Sequence, residues 1–253
     1  MLLLQLPYVA QTDIREGEHH DEGGHHHEGG EAGNEVVNLG DADGIGDLTL
    51  LGQYRFFGQD AGLQASLLAG VTAPTGKTDE RDNEGVLFET EFQPGSGSWV
   101  GLVGLAVSKP LGRWSLDGNV LYTVATEGAQ QTDLGDQFQY NGSLSYRVTG
   151  PAGEGEHKHA HAHDQADHDH HSHGLTVDLV LELNGEWQAK ENFAGITDPN
   201  SGGNVVYLSP GLRLSSNRLS GFVSFGVPIV NDLNGIQSEP TYRVVSGLVL
   251  AFN

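Results

Sequence analysis

The sequence predicts an all-β protein, an antiparallel transmembrane β-barrel with ten strands visible here and twelve in the full-length protein. Three observations predict it. From Gly46 onward apolar and polar residues alternate with period two, the pattern of strands that have one apolar and one polar face. Several alternating runs are ten or more residues long, whereas soluble strands average ~5 to 6 and membrane-crossing strands need ~9 to 11 at a tilt. The connections switch between short and long, as in outer-membrane barrels with short periplasmic turns and longer outer loops.

The first strand is expected at 2–12, where Pro7 and the alternation after Gln5 read as a strand already under way. The opening Met1-Leu2-Leu3-Leu4 is interrupted by Gln5, has no basic region before it and no small-residue cleavage site after it, so it does not read as a signal peptide. The chain is therefore read as beginning inside the first hairpins of a longer barrel. Further strands are expected at 46–57, 62–73, 98–108, 113–125, 136–149, 175–187, 204–214, 218–230 and 241–252. The alternation is cleanest in 138–149, where Phe138, Tyr140, Gly142, Leu144, Tyr146 and Val148 oppose Gln139, Asn141, Ser143, Ser145, Arg147 and Thr149. Aromatic residues gather toward strand ends, at Tyr54, Phe56, Phe57, Trp99, Trp114, Phe138, Tyr140, Trp187, Tyr242 and Phe252, as interfacial girdles do.

Tight turns are expected at 58–61, 109–112 and 215–217, and long connections at 13–45, 74–97, 126–135, 188–203 and 231–240. With the C-terminus periplasmic, the tight turns are periplasmic too. One domain, 1–253, then carries a His- and acid-rich extracellular loop at 13–45 and a His- and acid-rich periplasmic insertion at 150–174, where parity calls for a short turn. A secreted β-sandwich would share the alternation and the glycine-rich turns, but it seldom needs so many long strands with aromatic ends.

Composition narrows the function classes. Lys plus Arg is 12 against 34 Asp plus Glu, a net charge of −22 that repels phosphate backbones and excludes nucleic acid as a natural partner. There is no Cys, hence no disulfide, thiolate metal site or Cys nucleophile. No stretch of 18 apolar residues suggests a membrane-spanning helix.

All 13 histidines fall in two segments: His19, His20, His25, His26 and His27 in the first, and His157, His159, His161, His163, His168, His170, His171 and His173 in the second. Asp and Glu are interleaved with them, a donor mixture that suits Zn, Ni, Cu or Co through many overlapping ligand sets rather than one fixed tetrahedron. Solvated acidic loops with idle metal affinity, or pH sensing by imidazoles of ordinary pKa ~6.5, would use the same residues. No cofactor is required.

If the apolar faces meet lipid, then Arg55, Asp117, Asn119, Asn141, Arg147, Asp178, Glu182, Glu186, Arg213 and Arg243 point into the barrel. Such residues would line a conducting lumen or form a salt-bridged plug. No enzyme constellation is present: every His lies in a polar insert, and there is no Gly-x-Ser-x-Gly elbow, P-loop or His-Glu-x-x-His. The chain is expected not to be an enzyme.

Several segments carry a family resemblance. They are Leu6-Pro7-Tyr8-Val9, Gly44-Ile45-Gly46-Asp47-Leu48 leading into Tyr54-Arg55-Phe56, Leu68 to Gly76 ending in Ala73-Pro74-Thr75-Gly76, Gln93-Pro94-Gly95-Ser96-Gly97-Ser98, and Ala106-Val107-Ser108-Lys109-Pro110. In order and spacing the chain resembles the bacterial outer-membrane β-barrel "transporter" family tied to the MetA-pathway of phenol degradation. The resemblance implies a closed barrel that passes small molecules and no catalytic residues. The His-rich inserts are not part of the family's shared pattern. The resulting expectation is an outer-membrane channel for small solutes, either aromatic compounds or divalent metal ions, with metal-binding loops. Its partners would be outer-membrane lipid, the transported solute and the barrel-assembly machinery. The alternative is a metal-sequestering or metal-sensing protein anchored by a plugged barrel.

Overall fold

The computed structural model describes residues 2–17, 36–58, 62–150, 175–216 and 219–250. It is all-β and antiparallel, with helix confined to the short 3₁₀ turns Thr90–Phe92 and Ala129–Gln131. Strands in chain order are β1 (Leu2–Gln5), β2 (Tyr8–Gly17), β3 (Val36–Ile45), β4 (Leu48–Phe57), β5 (Gln64–Ala73), β6 (Val100–Leu111), β7 (Trp114–Ala125), β8 (Thr132–Asp133), β9 (Gln137–Thr149), β10 (Thr176–Gln188), β11 (Asn192–Phe193), β12 (Ile196–Thr197), β13 (Gly203–Ser215), β14 (Leu219–Leu233) and β15 (Arg243–Leu250).

Ten of these form one up-and-down sheet in the order β1-β4-β5-β6-β7-β9-β10-β13-β14-β15. The ten expected strands are all present, with ends shifted by a few residues. Among the described residues no ladder joins β1 to β15, so the sheet stands open between them. Two features differ from the expectation. The first strand breaks at Leu6-Pro7, because proline has no N–H to give to a ladder. Strand structure also continues into the expected loop 13–45: β2 and β3 pair as a separate hairpin that prolongs β1 and β4 past a bend. At that bend Gly46 N donates to Pro7 O, and a Cβ on Gly46 would lie 2.8 Å from the Pro7 ring and 3.0 Å from Pro94 O. Only glycine lets the two chains approach this closely.

The side-chain distribution is the reverse of a soluble sheet protein. Leu67, Val103, Leu105, Leu116, Val124, Leu144, Leu179, Leu181, Leu183, Val223 and Phe225 form a continuous exposed apolar surface on one face. Buried on the other are Ser66, Thr123, Ser145, Asp178, Ser209 and Ser224. A small apolar cluster of Ile14, Ala42 and Phe88, with Leu39 and Phe92 against it, lies where the β2–β3 hairpin meets the β5–β6 connection.

The two ends of the sheet differ. At one end the turns are tight, as at Gly112, whose φ of +67° opens the two-residue β6–β7 turn. At the other end the long connections are tied in sequence. The amide of Asn83 donates to Leu39 O, Gln130 Nε2 to Phe88 O, Ala194 N to Gln131 O and Asn234 N to Gly202 O. The ladder β8-β11-β12 reinforces the middle of this rim.

Candidate functional site

The polar face bears two adjoining, half-open cavities. The first, about 340 Å³, is walled by Gln53, Arg55, Gln64, Asp117, Asn119 and Glu182, among others. Its walls run from β4 to β10, five ladder steps apart. On a flat sheet those strands would stand roughly 24 Å from one another, so the sheet curls around the cavity with its polar side inward. The second, about 330 Å³, shares Asn141, Glu182 and Asn184 with the first and adds Gln139, Glu186, Phe222, Ser224 and Arg243. Curling thus continues to β15.

Charges on this face are arranged in local compensation. Asp178 is buried between two arginines, accepting from Arg147 Nε at 3.1 Å on Oδ1 and from Arg213 Nε at 3.1 Å on Oδ2. The strand register places Asp178 opposite both Arg147 and Arg213. Loss of either arginine would leave the buried Asp178 carboxylate with a single counter-charge. Asp117 accepts from the hydroxyls of Ser108 and Ser115. Arg243 lies over the Tyr207 ring, its guanidinium carbon 4.0 Å from the ring centre.

At the rim, a single carboxylate gathers three segments. Asp47 Oδ1 accepts from Gly76 N at 2.8 Å, and Oδ2 accepts from Ser96 N at 2.8 Å and Ser96 Oγ at 2.7 Å. Gly76 and Gly95 pack backbone to backbone here, where a Cβ on either would fall 2.6 Å from the other's Cα. Nearby, buried Gln93 donates to Glu80 O and Phe88 O and accepts from Glu80 N, which holds the β5–β6 connection folded on itself. In the β10–β13 connection, burial first and then the carboxylates of Glu91, Asp198 and Glu89 push Glu191 up to about 7.

The family model described as "Putative MetA-pathway of phenol degradation" matches residues 22–190, well over half of the chain. The chain belongs to this family. No curated protein matches it. The match takes in the three segments that converge on Asp47, and ends where β10 gives way to the β10–β13 connection.

In this MetA-pathway family member, the structure places the residues expected to line a lumen on the polar face of the open sheet. Arg55, Asp117, Asn119, Asn141 and Glu182 line the first cavity, and Glu186 and Arg243 the second. Arg147, Asp178 and Arg213 form the ion-paired group. The thirteen histidines lie outside the described residues. Among the described residues no group of three or more His, Asp or Glu side chains is disposed to hold a metal ion. Sequence reasoning missed Asp47, Gln93 and Ser96 as organising residues, and Tyr207 and Ser209 on the inner face. Asp47 falls inside an expected strand, 46–57, and Gln93 and Ser96 inside an expected long connection, 74–97, because hydrogen bonds across 29 and 49 residues leave no periodic trace.

Proposed function

We propose that this protein is an outer-membrane β-barrel that passes small solutes through its polar interior. The observation that carries the reading is the inverted polarity of the sheet, with Leu144 and Leu181 in the exposed apolar surface and Ser145 and Asp178 buried on the opposite face. In lipid every backbone N–H and C=O must be paired within the structure, and long paired strands with apolar exteriors meet that demand except at the edges of β1 and β15, which stand open among the described residues and which the proposed barrel would have to close. The exposed aromatic side chains of Tyr54, Phe56, Trp99, Trp114, Trp187 and Tyr242 suit the two interfacial belts.

Passage needs only a hydrated interior whose side chains set charge preference, with the rim of tied connections narrowing the outer mouth. The reading assigns no catalytic step and requires no cofactor. It places the chain in the bacterial outer membrane, with lipid and the barrel-assembly machinery as partners. Family membership favours aromatic compounds as cargo, and the histidine segments favour divalent metal ions such as Zn, Ni, Cu or Co. A second reading, a metal-sequestering or metal-sensing protein on a plugged barrel, draws support from the Arg147–Asp178–Arg213 group, which fills part of the interior. Conductance in planar bilayers, with and without Zn²⁺ or Ni²⁺, separates them. Steady single-channel current supports the conduit, whereas a silent barrel that binds metal supports the anchor.

A further inference from the structure

The side chains between the two cavities form a directed hydrogen-bonded row. Ser209 Oγ donates to Asn184 Oδ1 at 2.9 Å, Asn184 Nδ2 to Asn141 Oδ1 at 3.1 Å, and Asn141 Nδ2 to Asn119 Oδ1 at 3.0 Å. Register creates it, because Asn119 stands opposite Asn141 on β9 and Asn141 opposite Asn184 on β10. A primary amide offers two N–H groups and a carbonyl with two lone pairs. Among the described residues, Asn184 and Asn141 therefore each retain one N–H for a guest, and Asn119 retains both.

Charged groups beside this row narrow the class of guest. Arg55 and Arg243 are the cations on the cavity walls, and Asp117, Glu182 and Glu186 the carboxylates. An anionic solute would meet an excess of carboxylate. A cationic one would meet Arg243, whose buried Nε has no hydrogen-bond partner among the described residues and would stay without an acceptor. A hydroxyl satisfies both sides, since it donates to Glu182 while accepting from Arg243 or an amide N–H. No aromatic side chain lines the first cavity, and in the second Phe222 alone offers a ring. One face of the nearby Tyr207 is taken by Arg243.

We propose that the joined cavities are a binding subsite for a neutral, multiply hydroxylated aliphatic solute of the polyol or sugar class. The inference rests on the conduit reading, in that the solute reaches the subsite through the interior. Saturation-transfer NMR on the full chain, folded in a detergent without a sugar headgroup, tests it directly with glucose, mannitol, phenol, benzoate and putrescine as probes. Glucose and mannitol should bind, and Glu182→Gln and Asn141→Leu should each weaken them by about tenfold, the loss expected when a hydrogen bond to a charged group or a paired amide goes. If Asn141→Leu loses its β-sheet circular dichroism, Asn141→Ser serves in its place. Preference for phenol, benzoate or putrescine would overturn the proposal, as would unchanged sugar affinity in both folded variants. Conductance without polyol binding would refute the subsite and keep the conduit, and polyol binding without conductance would do the opposite.

Discussion

Asp47 sits at the bend between β3 and β4 and accepts hydrogen bonds from two backbone amides and one hydroxyl on the β5–β6 connection, the first of these donors, Gly76, lying 29 residues downstream. Hydrogen bonds to a carboxylate are among the stronger ones a fold can make. Asp47→Ala should therefore loosen the β5–β6 connection by roughly 2–3 kcal/mol, read as faster exchange of the Gly76 and Ser96 amides, with Asp47→Asn in between. Glu191 makes a second residue-scale prediction. Its carboxyl is pushed up to about 7, so the folded connection favours the protonated form. The folded state then holds more protons than the unfolded one above the ordinary carboxylate range, and stability falls as pH rises toward and through 7. Protection factors of the Asn192 and Phe193 amides in β11 should drop between about pH 5 and about pH 8, and Glu191→Gln should flatten that dependence. Neither residue was legible in advance. Asp47 was visible only as part of a Gly-rich segment, and the carboxylates around Glu191 come from positions a hundred residues apart.

The strands were far more legible than these contacts, and the reason is physical. A period of two follows from the backbone geometry of any extended chain, so one apolar and one polar side is written locally into each long strand of the main sheet. That is why Arg147, Asp178 and Arg213 could be placed on one face before their register was known. Legibility failed in the second half of β2 and in β3, where acidic and glycine-rich residues mask the alternation, and at the bend of Pro7 and Gly46, which depends on Pro94 from a distant connection. The faces themselves are testable. Leu144 and Leu181 lie on the exposed apolar side near the middle of β9 and β10, while Ser143 and Val180 belong to the opposite parity. Arginine at Leu144 or Leu181 should cost roughly 2–4 kcal/mol in a bilayer, and arginine at Ser143 or Val180 much less. Folding titrations in lipid vesicles measure this, and equal losses at both parities would count against a lipid-facing exterior.

At the scale of the whole molecule, strand count decides where the two histidine-rich segments attach. The first is bounded by Gly17 and Val36, the far ends of the hairpin that extends β1 and β4 at the end of the sheet where the long connections are tied. The second is bounded by Gly150 and Leu175, between β9 and β10, at the end where β6 turns into β7 through Gly112. The attachment points thus lie at opposite ends of the same curled sheet. If the proposed barrel spans the outer membrane with its C-terminus periplasmic, these attachment points would put the segment with five histidines outside and the segment with eight in the periplasm. The acidic residues among them would raise the local concentration of a divalent cation on each side, an effect that added salt weakens. Protease sites inserted beside Gly24 and, separately, beside Ala160 in intact cells give the readout. External protease should cut the first and spare the second until the outer membrane is permeabilised. Cleavage of both in intact cells would place the two segments on one side and remove any role for them as paired cation-collecting mouths.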